Sequence, residues 1–376
     1  MWWLVAVQLA WVVWVLVYLI KNHLRIEKAQ PISGPLAEYP PVSVCVPARN
    51  EERDLGACLA SILRQDYPDF EVIVVDDQST DGTAEVIRSF AAGEDRLVPL
   101  SGEPLPGGWV GKTYALHRAF ERSRGEYLLF TDADLVFAPN ALRTAVYHAR
   151  NKNLDVMTWM PATRFGSFWE RAVQPVVFGF IAALTRFEKV NSADSESAMG
   201  FGAFLFFKRE AYVRIDGHRG VKGEILEDVM LARRAKKAGC RLWVADAKPL
   251  FFLRMYHSLE EIWAGWRKNM FIALRNSVPR TIGHICSVVG FAAAPYAVAL
   301  VSLAGGAPLP VAGLSLAAVG LVVITGFGLC DEIGLARRYS FLFPLGALVF
   351  AAILMSSMIR VLRGGGTLWR GRTYGA

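Results

Sequence analysis

The 376-residue chain is 53% apolar with a mean hydropathy of +0.30, and its 41 basic against 34 acidic residues leave a net charge of +7. That apolar excess excludes an ordinary soluble enzyme, while the length leaves room for one catalytic domain of standard size beside membrane segments. Five cysteines without close pairing, Cys45, Cys58, Cys240, Cys286 and Cys330, exclude a disulfide scaffold and lend no support to a zinc site.

In chain order, residues 2–20 carry no charge and are long enough to span a bilayer, and Lys21, Arg25 and Lys28 follow them. The positive flank directs the carboxyl end of this first helix to the cytoplasm. A signal peptide is disfavoured, because no positive region precedes the apolar run and no small-residue cleavage site follows it. Two apolar strands come next, each ending in a polar loop that runs into a helical pattern: VSVCVPARNEE at 42–52 and EVIVVDDQSTDGT at 71–83. After the first, Leu55, Leu59, Ile62 and Leu63 recur at helical spacing. After the second, Thr80 or Asp81 is placed to cap a helix bearing Val86, Ile87 and Phe90. A third strand, in EYLLFTDADLV, delivers Asp132 and Asp134 one residue apart. Such a pair can hold a hard divalent cation beside a diphosphate, because Mg²⁺ and Mn²⁺ accept one or two carboxylates and leave the other positions to phosphate and water. Strands punctuated in this βαβ manner build a parallel sheet, whose carboxyl-end loops form the ligand crevice, so Asp77 and Asp134 are expected to meet there.

Four motifs agree in order: PARNEE at 47–52, VVDDQSTDGT at 74–83, TDADL at 131–135 and LEDVMLARRAKKAG at 226–239. Together they resemble the family 2 glycosyltransferases, which implies an α/β, Rossmann-like GT-A nucleotide-sugar domain over residues 41–257. The resemblance implies that Pro47, Ala48, Arg49, Glu51 and Asp77 hold the nucleotide. It also implies that Asp134 ligates Mg²⁺ or Mn²⁺, with Asp132 a further ligand or a ribose contact, and that Asp228, beside Glu227, is the catalytic base. Lys112, just before a helix, is a candidate for neutralising phosphate. Further segments, GWVGKTYAL at 108–116, RMYHSLEEIWAGWRKN at 254–269 and WRGRTY at 369–374, resemble membrane-bound enzymes that glycosylate carotenoid acids, hopanoids and ceramide. The Gln-x-x-Arg-Trp motif of processive polysaccharide synthases does not occur, which favours single-sugar transfer over chain growth.

Beyond the catalytic domain, residues 258–280 read as an interfacial amphipathic helix, with Leu259, Ile262, Trp263, Trp266 and Met270 on one face. The apolar run 172–184, too short to span, reads as a core helix or an interfacial segment. Three apolar stretches, 282–303, 309–329 and 341–359, fill a membrane region at 281–360 and precede a basic tail at 361–376. Three crossings from a cytosolic domain place that tail outside, against the positive-inside tendency. A cytosolic tail is preferred, since Arg370 or Arg372 could then reach the donor diphosphate; a headgroup-binding tail is the alternative.

The expected reaction is inverting, metal-dependent transfer from a nucleotide sugar, a UDP-sugar by preference, to a hydroxyl or carboxyl group of a membrane lipid. No nucleic-acid partner is expected, because no aromatic and basic recognition motif accompanies the charge. GGWVGKT at 107–113 is one residue short of a Walker loop, and an NTPase is improbable. A non-catalytic membrane scaffold or lipid carrier retaining a transferase-like domain, or a processive synthase, are the remaining alternatives.

Overall fold

A computed structural model describes residues 2–365, 367–369 and 372–374. The chain forms two compact units, one of Met1–Arg25, Phe165–Thr185 and Tyr256–Ala376, the other of Ile26–Arg164 and Arg186–Met255.

The first unit opens with α1 (Trp2–His23). The second unit is built on seven strands in the order β3 (Leu97–Ser101), β2 (Phe70–Asp76), β1 (Val42–Ala48), β4 (Tyr127–Phe130), β8 (Leu205–Lys208), β6 (Val156–Met160) and β9 (Leu242–Asp246). Strands β3 to β4 of that order run parallel, and β8 alone opposes both its neighbours. Central strands read as unbroken apolar runs because both faces are covered: Val42, Val44, Val72 and Val74 pack on one side, Cys45, Ile73 and Val75 on the other. Helices α2 (Leu55–Leu63), α3 (Thr83–Ala91) and α5 (Ala141–Asn151) contribute to the first layer. Helices α4 (Gly111–Arg122), α8 (Arg209–Arg214) and α9 (Glu227–Lys237), with the short α7 (Phe187–Asn191), contribute to the second. A smaller sheet of β5 (Leu135–Phe137), β10 (Phe251–Leu253) and β7 (Ala162–Thr163) completes the unit.

This is the GT-A arrangement expected from the motifs. The chain places β2 and β3 on one side of β1 and returns with β4 on the other, so the loops leaving β1, β2 and β4 open at a topological switch point. Helix α3 starts at Thr83 behind Gly82, later than the expected Thr80 or Asp81 cap. Asp81 still serves that end, its Oδ1 accepting from the Thr83 amide at 3.1 Å.

In the first unit, α6 (Phe168–Leu184) is followed by α10 (Leu259–Ala273), α11 (Val278–Ala292), α12 (Ala294–Ala304), α13 (Leu309–Glu332), α14 (Phe343–Leu362) and the paired strands β11 (Thr367–Trp369) and β12 (Arg372–Tyr374). Three stretches, Trp2–His23, Leu309–Glu332 and Arg337–Leu362, are long and apolar enough to cross a membrane. The apolar run 282–303 is two helices, α11 and α12, bent by 49°. The bend falls where Pro295 removes an amide from the helical ladder. Helix α6 lies inside the 41–257 range expected for the catalytic domain yet groups with the apolar unit, and its Ala172, Val173, Val177 and Phe180 are buried. Gly346 of α14 packs so closely on the Ala172 carbonyl that a Cβ there would collide with it. Between Ser258 and Arg275, α10 buries Ile262, Trp266 and Met270 as its stripe requires, whereas Trp263 is half-exposed.

Side chains of α1 pin it to the end of α6. Asn22 donates from Nδ2 to the carbonyls of Ala182 at 2.6 Å and Thr185 at 2.8 Å, satisfying acceptors that the end of α6 leaves open. Asn22→Ala should therefore lower stability by about 1–3 kcal/mol, read as a reduced melting temperature of the full chain in detergent.

Candidate active site

The loops after β1 and β2 are laced together by hydrogen bonds across about thirty residues of sequence. The Asp77 amide donates to the Ala48 carbonyl at 2.7 Å. Arg49 returns the connection, its guanidinium donating to the carbonyls of Asp77 and Gln78. Asn50, in the left-handed region at φ 54°, accepts from the Thr80 amide at 2.8 Å, and the Glu51 amide donates to Thr83 Oγ1 at 2.8 Å. Asparagine tolerates that backbone better than most residues, which suits it to the turn. Asp77 is thereby fixed and buried at the end of β2, with Pro47 and Ala48 at the neighbouring end of β1.

At the end of β4, Thr131 anchors the loop by donating to the Ala203 carbonyl at 2.8 Å. Asp132 and Asp134 then diverge in environment. Asp132 forms an ion pair with Lys112, Nζ to Oδ1 at 2.7 Å. Asp134 is pushed up to about 8 by burial and then by the charges of Asp132 and Glu51, with Asp54 adding to them. Its charged surroundings are carboxylates, which is the situation a divalent cation relieves. Among the described residues no group of three or more His, Cys, Asp or Glu forms a cation cage.

Lys112 also pairs with Glu227, Nζ to Oε1 at 2.8 Å. Burial alone would lower its pKa, but Asp132, Glu227 and Asp228 together hold it well above the usual range, so it stays charged. Asp228, in the first turn of α9, accepts from the Gly202 amide at 2.8 Å through Oδ2 and from the Val229 amide at 2.7 Å through Oδ1. Burial first and then Glu227 push it up to about 7, against the opposing pull of Lys112 and the two amides. A carboxyl poised near neutrality can both take up and release a proton.

Lys112, Asp132, Glu227 and Asp228 thus come together, around Gly202. A Cβ on Gly202 would lie 2.8 Å from Lys112 Nζ, 3.4 Å from Asp228 Oδ2 and 3.5 Å from Asp132 Oδ2. Glu51 stands close enough to Asp134 for its charge to raise the Asp134 carboxyl. Arg370 lies outside the described residues, and of Arg372 only its place in β12 is described. What sequence alone does not show is that Gly200 and Gly202 are the surfaces on which Asp228 rests; the signal is the Gly-x-Gly spacing shortly before β8.

Residues 43–215 match the model of Glycosyl transferase family 2. The 4,4'-diaponeurosporenoate glycosyltransferase of Staphylococcus aureus (strain USA300) is 25% identical over 263 residues, 66% of this chain and 68% of that protein. Its namesake in Staphylococcus haemolyticus (strain JCSC1435) is 24% identical over 241 residues, 63% of each. Among solved structures, a mannosyltransferase from Pyrobaculum calidifontis in complex with GDP-Man and Mn²⁺ superposes with a TM-score of 0.56 at 22% identity, covering 96% of this chain and 99% of that one. The protein is a glycosyltransferase of the GT-A fold. It carries a family 2 glycosyltransferase domain and resembles the enzymes that glycosylate a carotenoid acid.

The two glycines give a ranked test. A Cβ on Gly200 would drive into the Asp228 backbone, whereas one on Gly202 meets side-chain atoms alone, Lys112 Nζ nearest at 2.8 Å. Gly200→Ala should cost at least tenfold more activity than Gly202→Ala, measured as kcat/KM for sugar transfer.

Proposed function

We propose that the enzyme transfers one sugar from a UDP-sugar to a hydroxyl or carboxyl group of a membrane lipid, with inversion at the anomeric carbon. The observation that carries this reading is the convergence of Asp132, Lys112, Glu227 and Asp228 on the open edge left by Gly202, beside the laced loops that bear Asp77. The acceptor class draws support from the carotenoid-acid enzymes to which the chain is similar.

In this reading Pro47, Ala48, Arg49, Glu51 and Asp77 receive the nucleotide. Asp134, assisted by Asp132, would hold Mg²⁺ or Mn²⁺, whose charge stabilises the departing diphosphate. Lys112 adds a fixed positive charge on the same side and keeps Asp132 oriented. Asp228 takes the acceptor proton as the new bond to the anomeric carbon forms and the bond to the β-phosphate oxygen breaks. One base opposed to one leaving group makes a single in-line displacement, so an α-linked donor gives a β-linked product. Glu227 anchors Lys112 and raises the basicity of Asp228.

The catalytic unit is placed on the cytoplasmic side, where the positive residues after α1 direct it. The tail bearing Arg370 and Arg372 is placed on that side too. A cysteine introduced at Thr373 should then react with an impermeant thiol reagent only in inside-out vesicles; labelling of intact cells would reverse the assignment.

Four measurements test the chemistry. Asp228→Asn should keep donor binding and lose about 10²–10⁴-fold in kcat, because an amide cannot accept the proton. Asp134→Ala should abolish the metal dependence of donor binding, read by titration calorimetry with and without Mn²⁺. Since a base works only when deprotonated, kcat/KM should fall as pH drops through about 7. Glu227→Gln removes a charge that raises Asp228 and should move that limb to lower pH.

A further inference from the structure

Strand β3 runs directly into Gly102, and contact demands a glycine there. A Cβ on Gly102 would lie 2.5 Å from the Asp76 carbonyl oxygen, 2.9 Å from the Gln78 amide nitrogen and 3.0 Å from the Asp77 Cα. All three are backbone atoms, so a methyl group at this position forces main chain to move.

The surface under Gly102 is a tight turn. The Gln78 amide donates to the Asp76 carbonyl at 2.9 Å, which makes Asp77 the middle residue of a three-residue turn. Gln78 continues it in the left-handed region at φ 58°, and Asp76 Oδ1 accepts from the Ser79 amide at 3.0 Å. Because β2 lies between β3 and β1 in the sheet, this turn is flanked on one side by Gly102 and on the other by Ala48 and Arg49. The bonds from β1 described above hold one flank, and close contact with Gly102 holds the other.

The segment bearing Gly102 is itself gripped. Arg118 of α4 donates from Nη1 to the Ser101 carbonyl at 2.7 Å and pairs through Nη2 with Glu103 at 2.8 Å, so one guanidinium holds the residues on both sides of the glycine. The Tyr114 hydroxyl adds a 3.3 Å bond to the other oxygen of Glu103. The same helix carries Lys112 in its first turn. Helix α4 therefore bears on Asp77 through Arg118 and Gly102, and on Asp132 and Glu227 through Lys112.

We propose that Gly102, held against the Asp77 turn by the Arg118 clamp, is a positioning residue for the nucleoside end of the donor, an inference that rests on the reading of Asp77 as a nucleotide contact. The missing side chain at 102 sets where the Asp77 carboxylate stands, and the clamp prevents β3 from drawing back to make room for a larger residue. Diphosphate recognition, at the other end of α4, is left untouched.

The test is titration calorimetry of the purified full-length chain in detergent with UMP and with UDP, at fixed Mn²⁺. Gly102→Ala should weaken both nucleotides by about tenfold or more and by the same factor, because overpacking displaces the nucleoside contact and not the diphosphate contact. Arg118→Met should weaken both by about threefold, the loss of a partly exposed clamp, with part of that regained in Arg118→Lys. The double variant Gly102→Ala/Arg118→Met should bind as Arg118→Met does, because the released segment retreats from the added methyl group. Losses that simply multiply in the double variant would overturn the proposal, as would a Gly102→Ala effect much larger on UDP than on UMP, or none. Should Gly102→Ala fail to fold, the Arg118 variants decide: wild-type affinity in Arg118→Met overturns the clamp, and equal weakening of UMP and UDP supports it. Asp77→Ala separates the two readings. If it loses UMP while Gly102→Ala and Arg118→Met do not, only the positioning role falls; if it binds UMP as the wild type does, the nucleotide contact falls and the positioning role with it.

Discussion

One positive charge holds the candidate active site together. Lys112 stands in the first turn of α4, where the amide ends of the helix disfavour a cation, and it is nevertheless held charged by Asp132, Glu227 and Asp228. Those three carboxylates come from segments far apart in sequence, the loop after β4 and the first turn of α9. Without a shared cation their mutual repulsion would separate them. Glu227 and Asp228 gain in addition from sitting at the amino end of α9, the end that favours negative charge. The consequence is a centre in which one carboxylate is neutralised by lysine, one is poised near neutrality and a third, Asp134, is left with acidic company.

Much of this was legible in the sequence, and the rest was hidden for identifiable reasons. Strands β1 and β2 are mainly apolar runs, the first giving way to Arg49, Asn50 and Glu51 and the second closed by Asp76 and Asp77, so their places and loops followed directly. Strand β4 is only four residues long, but the two aspartates after it marked its end. What the sequence did not reveal were pairings made at a distance. Lys112 gives no sign of its two partners, nor Asn50 of its bond to Thr80, because such contacts depend on how loops approach in space. The membership of α6 was hidden for another reason: its apolar run is as consistent with a buried core as with contact to lipid. The bend between α11 and α12 was readable in principle, since Pro295 interrupts the run, but an unbroken hydropathy profile conceals it.

The apolar unit shows where its outer surface lies. Trp2, Trp3 and Trp14 of α1 are each half or more exposed, as are Leu300 and Val301 of α12 and Ile324 of α13. Water would penalise so much uncovered hydrocarbon, and lipid would not. Within α1, Trp11, Trp14 and Tyr18 stack in sequence at 5.1 and 5.8 Å, and Tyr18 donates to the Ala183 carbonyl of α6 at 2.7 Å. The unit thus combines a greasy exterior with polar contacts that lock its helices from within.

The chain passes between its two units at Arg25/Ile26, Arg164/Phe165, Thr185/Arg186 and Met255/Tyr256. Because the second segment of the apolar unit, Phe165–Thr185, is inserted in the middle of the other unit, no single cut separates the two. A fragment ending at Met255 and beginning at Ile26 would still carry a bare α6, stripped of Asn22, Tyr18 and Gly346. Evolution of such a chain by simple fusion of a soluble module to an anchor is therefore constrained: the anchor and the module share a piece of each other's sequence and have to be made, folded and inherited together.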